Sequence, residues 1–305
     1  MKVAVLGAGY AGLATALFLQ RAGNQVTLID SRGLGGGASG VSTGLLHPYH
    51  ARKPQLVHRG EEAMAETIAL IGFAEQALGR PVALRTGIMK SNKWIPEGIT
   101  VLSMPYLEGL YAAFGETLVI QKILDLKQLD QYDAVVLANG HEILQFEECR
   151  DLPLKVRKGQ ALICRGAIPY SMIGNGHITL TEDPNLCQIG STYEDKFDEL
   201  KAYALREKVA SFYPPARDFE VVEIRSGTRI APKQGVIPLV CKINPKTWVF
   251  TGLGSRGLLY HALFGKELST QILSHLNRPL SKFALIGEIN GFSADFWGEG
   301  GDIRE

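Results

Sequence analysis

The first 30 residues, MKVAVLGAGYAGLATALFLQRAGNQVTLID, constrain the fold of this chain more than any other segment. Residues 2–6 form an apolar run of the kind that makes a strand buried on both faces. Apolar residues then recur at helical spacing until Gly23, and a second apolar run ends at Asp30. Between the first run and the helix lie three glycines, namely Gly7, Gly9 and Gly12.

Each glycine of this turn has a predicted role. Gly7 permits a tight turn, Gly9 lets the backbone approach a pyrophosphate, and Gly12 lets the helix pack closely on the strand. The unpaired N–H groups of the helix N-terminus would then face the phosphates. Asp30 follows Gly12 by 18 residues, where a carboxylate can accept hydrogen bonds from a ribose diol. This order predicts a dinucleotide-binding unit and leaves open which dinucleotide binds.

Length and composition describe an ordinary globular chain. Its 305 residues allow about two domains, and 46% hydrophobic and 21% charged residues are typical of a soluble protein. A net charge of +1 excludes a global field that attracts nucleic acid or membrane, although a local basic patch stays open. The apolar start is interrupted by glycines and lacks a basic leader, so we expect a cytoplasmic chain without a membrane span.

The cysteines give no sign of a metal site. They are scattered, with no C-x-x-C pair and no histidine cluster at ligand spacing. Reduced, structural thiols are therefore predicted, in keeping with a cytoplasmic location. The four positions are Cys149, Cys164, Cys187 and Cys241.

The rest of the chain predicts a divided nucleotide domain. The glycine-rich stretch 31–48 is interpreted as a loop against a ligand and not as a linker, because it ends in Leu-Leu-His-Pro. Helices are predicted over 56–80 and 104–115, and a buried strand begins at 133. Residues 151–222 alternate in short apolar and polar runs typical of an antiparallel sheet. Residues 248–259 repeat the order of strand, glycine turn and helix.

Four sequence blocks connect the chain with a known family. They are GGASG followed by Gly44–Pro48, VLANGHEI at 136–143, RSGTR at 225–229 and GLGSRGL at 252–258. On these blocks the chain resembles the FAD-dependent oxidoreductases of the D-amino-acid and glycine oxidase family. LANGHEI and GLGSRGL make it most similar to the FAD domain of the family's tRNA-modifying branch.

The resemblance implies an α/β fold in which a Rossmann-like FAD-binding domain carries an inserted, mainly antiparallel β-sheet substrate domain. The FAD-binding domain would comprise 1–84, 119–150 and 223–280. The substrate domain would comprise 85–118 and 151–222, and a C-terminal tail would occupy 281–305.

The resemblance also implies which residues bind FAD, which we expect to be held without a covalent bond. Those expected at the pyrophosphate are Gly7, Gly9, Tyr10, Ala11 and Gly12. Those expected at the adenosine are Asp30, Ser31, Arg32 and the backbone near Ile123. Those expected along the ribityl chain and ring are Ala38, Ser39, Thr43, Gly44, Leu45 and Leu46. The turn after the 133–137 strand would add Ala138, Asn139 and Gly140. The last turn, Gly254, Ser255, Arg256, Gly257, Leu258 and Leu259, would aim a helix N-terminus at the flavin's pyrimidine carbonyl.

Hydride transfer from a carbon beside an amine nitrogen is the implied reaction, and it depends on positioning more than on a strong base. Arg225 has the family's carboxylate-binding position, with Arg256 and Arg229 as alternatives. His47 and His177 are further candidates for substrate contact, each against a purely structural role.

Three functions remain open at this stage. The first is oxidation of an N-substituted glycine with release of glyoxylate, with the carboxymethylaminomethyl group of a tRNA wobble uridine as candidate substrate. The second keeps the chemistry but acts on free glycine, sarcosine or D-amino acids. The third is a flavin-binding scaffold without turnover. The sequence does not choose the electron acceptor or the oligomeric state.

Overall fold

A computed structural model describes residues 1–50 and 55–276 of the chain. This part contains five α-helices and sixteen β-strands. The helices are α1 (Tyr10–Arg21), α2 (Gly60–Leu78), α3 (Ser103–Phe114), α4 (Glu199–Ala210) and α5 (Gly257–Leu276). The strands are β1 (Lys2–Leu6), β2 (Gln25–Asp30), β3 (Leu45–Leu46), β4 (Ala83–Leu84), β5 (Ile88–Lys90), β6 (Lys93–Ile95), β7 (Ile99–Val101), β8 (Leu118–Ile120), β9 (Ala134–Leu137), β10 (Leu154–Arg165), β11 (Ser171–Gly174), β12 (Gly176–Leu180), β13 (Leu186–Gly190), β14 (Glu220–Pro232), β15 (Leu239–Asn244) and β16 (Thr247–Thr251). The tail expected at 281–305 lies outside the described residues.

A six-stranded sheet carries the first glycine turn. Its order is β15-β16-β9-β1-β2-β8, and every neighbouring pair is parallel except the antiparallel pair β15 and β16. The two central strands are buried, β1 from Val3 to Leu6 and β9 along its whole length. Because parallel strands end at one edge, the turns after β1 and β9 lie side by side there.

Helices cover one face of this sheet. Side chains from α1, α2, α3 and α5 form one buried cluster, which includes Leu17, Ile71, Tyr106 and Leu263. A second cluster on the other face combines residues between 119 and 154 with strand residues such as Ala4, Ile29 and Val249. Among the described helices, none is both long and apolar enough to cross a membrane.

A second sheet contains seven strands. Its order is β14-β10-β13-β12-β11-β5-β6, with one parallel pair, β11 and β5, among antiparallel ones. Helix α4 packs on it through Ala202, Leu205 and Val209. The prediction of an α/β nucleotide domain joined to a mainly antiparallel sheet is confirmed.

Two of the expected domain boundaries differ from the packing. Helix α3, within the segment 85–118 assigned to the substrate side, packs with α1 and α2 in the nucleotide core, where Leu107 and Phe114 are buried. Strand β14 crosses the boundary expected at 222/223 and stays paired with β10 as far as Pro232. The first difference arises because α3 buries its apolar residues against α1 and α2. The second arises because the long pairing of β10 with β14 is not visible in local sequence.

The first glycine turn is as tight as its sequence predicts. Gly7 has φ +108°, and a Cβ there would lie 2.4 Å from the carbonyl oxygen of Ala138. A Cβ at Gly12 would lie only 1.8 Å from the carbonyl oxygen of Gly7. The third glycine therefore permits close packing of α1 against the turn itself.

We expect Gly12→Ala to lower the melting temperature and the amount of flavin retained, because its methyl group has no space against the rigid backbone of Gly7. Gly72→Ala is the matched control, since Gly72 lies exposed within α2 with no atom within 4 Å of the added Cβ. The control should gain about 0.5–1 kcal/mol of stability. Thermal unfolding of both variants checks this, and an unchanged Gly12→Ala would contradict it.

Candidate functional site

A large cavity lies at the carboxyl edge of the parallel sheet, between the two sheets, with a volume of about 320 Å³. Segments of both sheets surround it, as the ligand rule for open α/β sheets predicts. Its predicted lining residues are Gly7, Gly9, Tyr10, Ala11, Asp30, Arg32, Ala38, Ser39, Thr43, Leu45, His47, Ala138, Asn139, Gly140, His177, Gly254, Ser255, Arg256, Gly257, Leu258 and Leu259. The structure adds Gly37, Ser42, Tyr49, His141, Ile173, Ser191, Thr228, Arg229, Ile230 and Leu253.

Asp30 closes β2 at one end of this cavity. Its carboxylate accepts backbone N–H bonds from Ala8 at 2.8 Å, Arg32 at 2.7 Å and Gly33 at 3.0 Å. These bonds join the end of β2 to the first glycine turn. They fix an acceptor where the dinucleotide fingerprint requires one for a ribose.

A small second hollow of about 20 Å³ adjoins this end, and Asp30 and Asn139 line both cavities. Ser31 and Ile123, predicted near the adenosine, lie in this hollow and not in the large cavity. Glu142 spans it by accepting a hydrogen bond from Ser31 at 3.0 Å and forming an ion pair with Arg32 at 3.2 Å.

Two observations fit an extended dinucleotide in these cavities. The buried Oδ1 atom of Asn139, at their junction, has no hydrogen-bond partner in the described part of the chain. A buried polar atom of this kind is rare unless a ligand or water satisfies it. A Cβ at Gly9 would lie 2.8 Å from Oγ of Ser39, so only glycine keeps this wall open.

The N-termini of α1 and α5 both open on the large cavity. Neither helix has an acidic residue in its first turn to compete for the helix dipole. Gly254 shapes the second turn with φ +53° and donates its N–H to the carbonyl of Ile230 at 2.9 Å. Two positive helix ends facing one cavity favour a ligand that carries negative charge at two separate places.

The glycine-rich loop contributes Thr43 and Leu45 to the wall, whereas two of its predicted members lie behind it. Gly44 has φ +72°, and a Cβ there would lie 1.9 Å from the carbonyl oxygen of Val101. Leu46 is fully buried in the core. Gly12 likewise lies behind the wall, so these three support the cavity without lining it.

The arginines differ from the prediction. Arg225 does not line the cavity; it is 39% exposed and forms an ion pair with Glu223 at 3.1 Å. Arg229, four residues further along β14, does line it. Its guanidinium donates to Oγ of Ser191 at 2.8 Å and to the carbonyl of Thr192 at 3.3 Å.

Arg229 and Arg256 face the cavity without a carboxylate partner among the described residues. Burial lowers the pKa of each guanidinium, which shows that both charges are partly desolvated. Arg256 also donates to the carbonyl of Tyr49 at 3.4 Å. A desolvated cation without an acidic partner is a ready site for an anionic group.

Both histidines lie in the wall as neutral groups. Burial lowers the pKa of His47 to about 4, helped by the charges of Lys90 and Arg256. Burial also lowers the pKa of His177 to about 4, helped by Arg229. Nε2 of His177 lies 3.0 Å from Oγ1 of Thr43, which fixes the ring beside the glycine-rich loop.

Comparison with known proteins gives relatives of two kinds. The chain is 40% identical, over 324 aligned residues, to the tRNA 5-methylaminomethyl-2-thiouridine biosynthesis bifunctional protein MnmC of Maricaulis maris (strain MCS10). The alignment covers 89% of this chain and 52% of that protein, so the chain spans about half the length of this relative.

The fold is similar to those of solved amine and amino-acid oxidases. Glycine oxidase from Geobacillus kaustophilus superposes with a TM-score of 0.75 at 18% identity, covering 93% of this chain and 96% of that one. Iminodiacetate oxidase from Chelativorans sp. BNC1 gives 0.71 at 18% identity, covering 89% and 95%.

The family pattern named DAO, FAD dependent oxidoreductase, matches residues 2–94 and 107–271. These ranges include both glycine turns, the unpartnered Asn139 and the strand that carries Arg229. The family match identifies the dinucleotide as FAD. The chain belongs to the DAO family of FAD-dependent oxidoreductases.

Proposed function

We propose that this protein oxidises the C–N bond of an N-substituted glycine, namely the carboxymethylaminomethyl group of a tRNA wobble uridine, and releases glyoxylate. The observation that carries the proposal is Arg229, a cavity-facing guanidinium without an acidic partner in the described residues. A glycine carboxylate is an anion of the size and shape that a guanidinium binds through two parallel hydrogen bonds.

The cofactor-binding assignment follows the two cavities. Asp30, Ser31 and Glu142, which line the small hollow beside the large cavity, would contact the adenosine, and the N-terminus of α1 would face the pyrophosphate. The N-terminus of α5 would face the pyrimidine side of the ring. When bound, FAD supplies a two-electron acceptor for a hydride from the substrate carbon.

Arg229 is suited to orient that carbon. Two of its five N–H groups are used by Ser191 and Thr192, which hold the guanidinium plane in place. The remaining donors can bind a carboxylate, so that the adjacent CH₂ group has a fixed position. This moves the carboxylate-binding role from Arg225, whose ion pair with Glu223 lies outside the cavity.

The charges of the wall favour the reactive form of the substrate amine. Hydride loss needs the nitrogen lone pair, and hence an unprotonated amine. Arg229 and Arg256 disfavour an ammonium group nearby, while Asp30 is the one acid among the described lining residues. Loss of hydride gives an imine, whose hydrolysis by water yields glyoxylate and the free aminomethyl group.

The tRNA part of the proposal is supported by the MnmC relative at 40% identity. The printed name of that relative describes tRNA 5-methylaminomethyl-2-thiouridine biosynthesis, and removal of a carboxymethyl group from an amine produces an aminomethyl group. Free glycine, sarcosine or a D-amino acid is the alternative substrate class.

Purified protein should be yellow, and acid precipitation should release its flavin as intact FAD. The related dehydrogenases with covalent flavin carry their histidine before the glycine that corresponds to Gly44, whereas His47 follows Gly44 by three residues, so release should be complete. Absorbance of the supernatant and chromatography against FAD and FMN standards check the result. Colour left in the pellet would contradict the non-covalent part of the prediction, and a colourless protein would contradict the cofactor.

Arg229→Ala should lower kcat/KM by about a hundred- to several-thousand-fold while FAD stays bound, because a desolvated carboxylate loses its partner, a loss of about 3–5 kcal/mol. Arg229→Lys should also be strongly impaired, because lysine lacks the planar fork. Arg225→Ala, the matched control on the same strand, should stay within about threefold, as expected for an exposed ion pair. Anaerobic flavin reduction monitors all three. A larger loss of kcat/KM in Arg225→Ala than in Arg229→Ala would assign carboxylate binding to Arg225.

Incubation with tRNA that carries the carboxymethylaminomethyl group should convert that nucleoside to the aminomethyl form, as seen by mass spectrometry of the digested nucleosides. Heat-inactivated enzyme is the control. An unchanged nucleoside, together with flavin reduction by free glycine, sarcosine or a D-amino acid, would overturn the tRNA substrate and favour the alternative class. Absence of flavin reduction by any of these would favour a scaffold without turnover.

A further inference from the structure

Two exposed aromatic residues lie on the loop that begins at the cavity-lining residue Ser191. Tyr193 and Phe197 belong to the loop 191–198 between β13 and α4, and they are 45% and 46% exposed. Exposed aromatic residues cost hydrophobic free energy unless something covers them. We call this pair the aromatic rim.

The aromatic rim is attached to the cavity wall on both sides. Ser191, at the start of the loop, lines the cavity and accepts a hydrogen bond from Arg229. Nζ of Lys158 donates to Oγ1 of the lining residue Thr228 at 3.0 Å and also lies 5.2 Å from the ring centre of Phe197. A ligand whose reactive group occupies the cavity would therefore have its neighbouring groups beside these rings.

Backbone hydrogen bonds also hold the loop against strand β10. Lys158 donates its backbone N–H to the carbonyl of Glu194 at 2.7 Å, and the N–H of Glu194 donates back at 2.9 Å. This two-way pairing on β10 fixes the backbone between the two rings. The rim is thus presented in one orientation.

A cation lies against each ring, at 5.2 Å for Lys158 and Phe197 and at 5.7 Å for Arg157 and Tyr193. The acids of the same loop have partners within the protein. Asp195 pairs with Arg157, Glu194 pairs with Lys201 at 2.7 Å, and Asp198 accepts the backbone N–H of Lys201. The surface therefore combines free aromatic area with positive charge that is partly balanced locally.

We propose that the aromatic rim stacks the nucleobases that flank the reactive uridine of a single-stranded tRNA loop, an inference that rests on the proposed tRNA substrate. Sequence-tolerant recognition of single strands uses aromatic rings for the bases and cations for the phosphates. A base has a flat π-face that can cover each ring, and a cation beside the ring adds to the stack. Two separate rings with cations match this ligand better than the continuous apolar patch of a protein interface.

Tyr193→Ala and Phe197→Ala should each weaken binding of a fluorescently labelled anticodon stem-loop RNA by about 5- to 100-fold, the loss expected for one stacked base. Tyr203→Ala is the matched control, because Tyr203 is 47% exposed on α4 and does not line the cavity. Phe197→Tyr should retain binding, whereas Phe197→Leu should lose it. The salt dependence should keep the wild-type slope in the rim variants, since no phosphate contact is removed.

The outcomes separate the rim from the proposed function. If the wild-type protein converts tRNA, and Tyr193→Ala and Phe197→Ala bind the RNA as tightly as the wild type, the base-stacking proposal is wrong and the proposed function is unaffected. Equal weakening in Tyr203→Ala, or full binding by Phe197→Leu, would also overturn base stacking. If the wild-type protein neither binds nor converts tRNA, the proposed function fails, and the rim assignment fails with it. Thermal unfolding and FAD content of each variant identify any loss due to misfolding.

Discussion

A small buried network of hydrogen bonds joins three helices at the cavity. The hydroxyl of Tyr10 on α1 donates to Oγ of Ser103 on α3 at 2.8 Å, and the hydroxyl of Tyr106 on α3 lies 2.7 Å from Nε2 of His261 on α5. Burial raises the pKa of Tyr10 to about 12 and lowers the pKa of His261 to about 4, so these groups are neutral. Because each would be costly to leave unpaired, the network determines how the helices meet.

The positions of these helices determine which charges face the cavity. Two helix N-termini without acidic residues in their first turns face it, together with Arg229 and Arg256. Asp30 is the one acid in the described wall of the large cavity, and its carboxylate accepts hydrogen bonds from three backbone N–H groups. Negative charge on a bound ligand is therefore favoured, and a protonated amine is disfavoured near the two arginines.

The parts that sequence predicted are those governed by short-range rules. The run from β1 through Gly7 and Gly12 to Asp30 combines apolar periodicity with positions at which only glycine fits, and both are local properties. The expectation for Arg225 depends on long-range structure. Arg225 and Arg229 lie four residues apart on the same face of β14 by strand periodicity, and of the two Arg229 lines the cavity. Their positions along the sheet follow from the pairing of β14 with β10, which is distant in sequence.

The same strand has one end in the cavity wall and the other at the surface. Towards its C-terminal end, β14 holds Arg229 and Ile230 against the wall shared with the α5 turn, and Ile230 accepts the N–H of Gly254. Towards solvent it carries exposed ion pairs such as Arg225 with Glu223. This part of the wall therefore depends on a backbone contact between β14 and the α5 turn. Loop 191–198 is held against β10 by the backbone pairing of Glu194 with Lys158 and by the ion pair of Asp195 with Arg157. Its exposed side chains Tyr193 and Phe197 are outside the cavity lining, so they can vary without removing a lining residue.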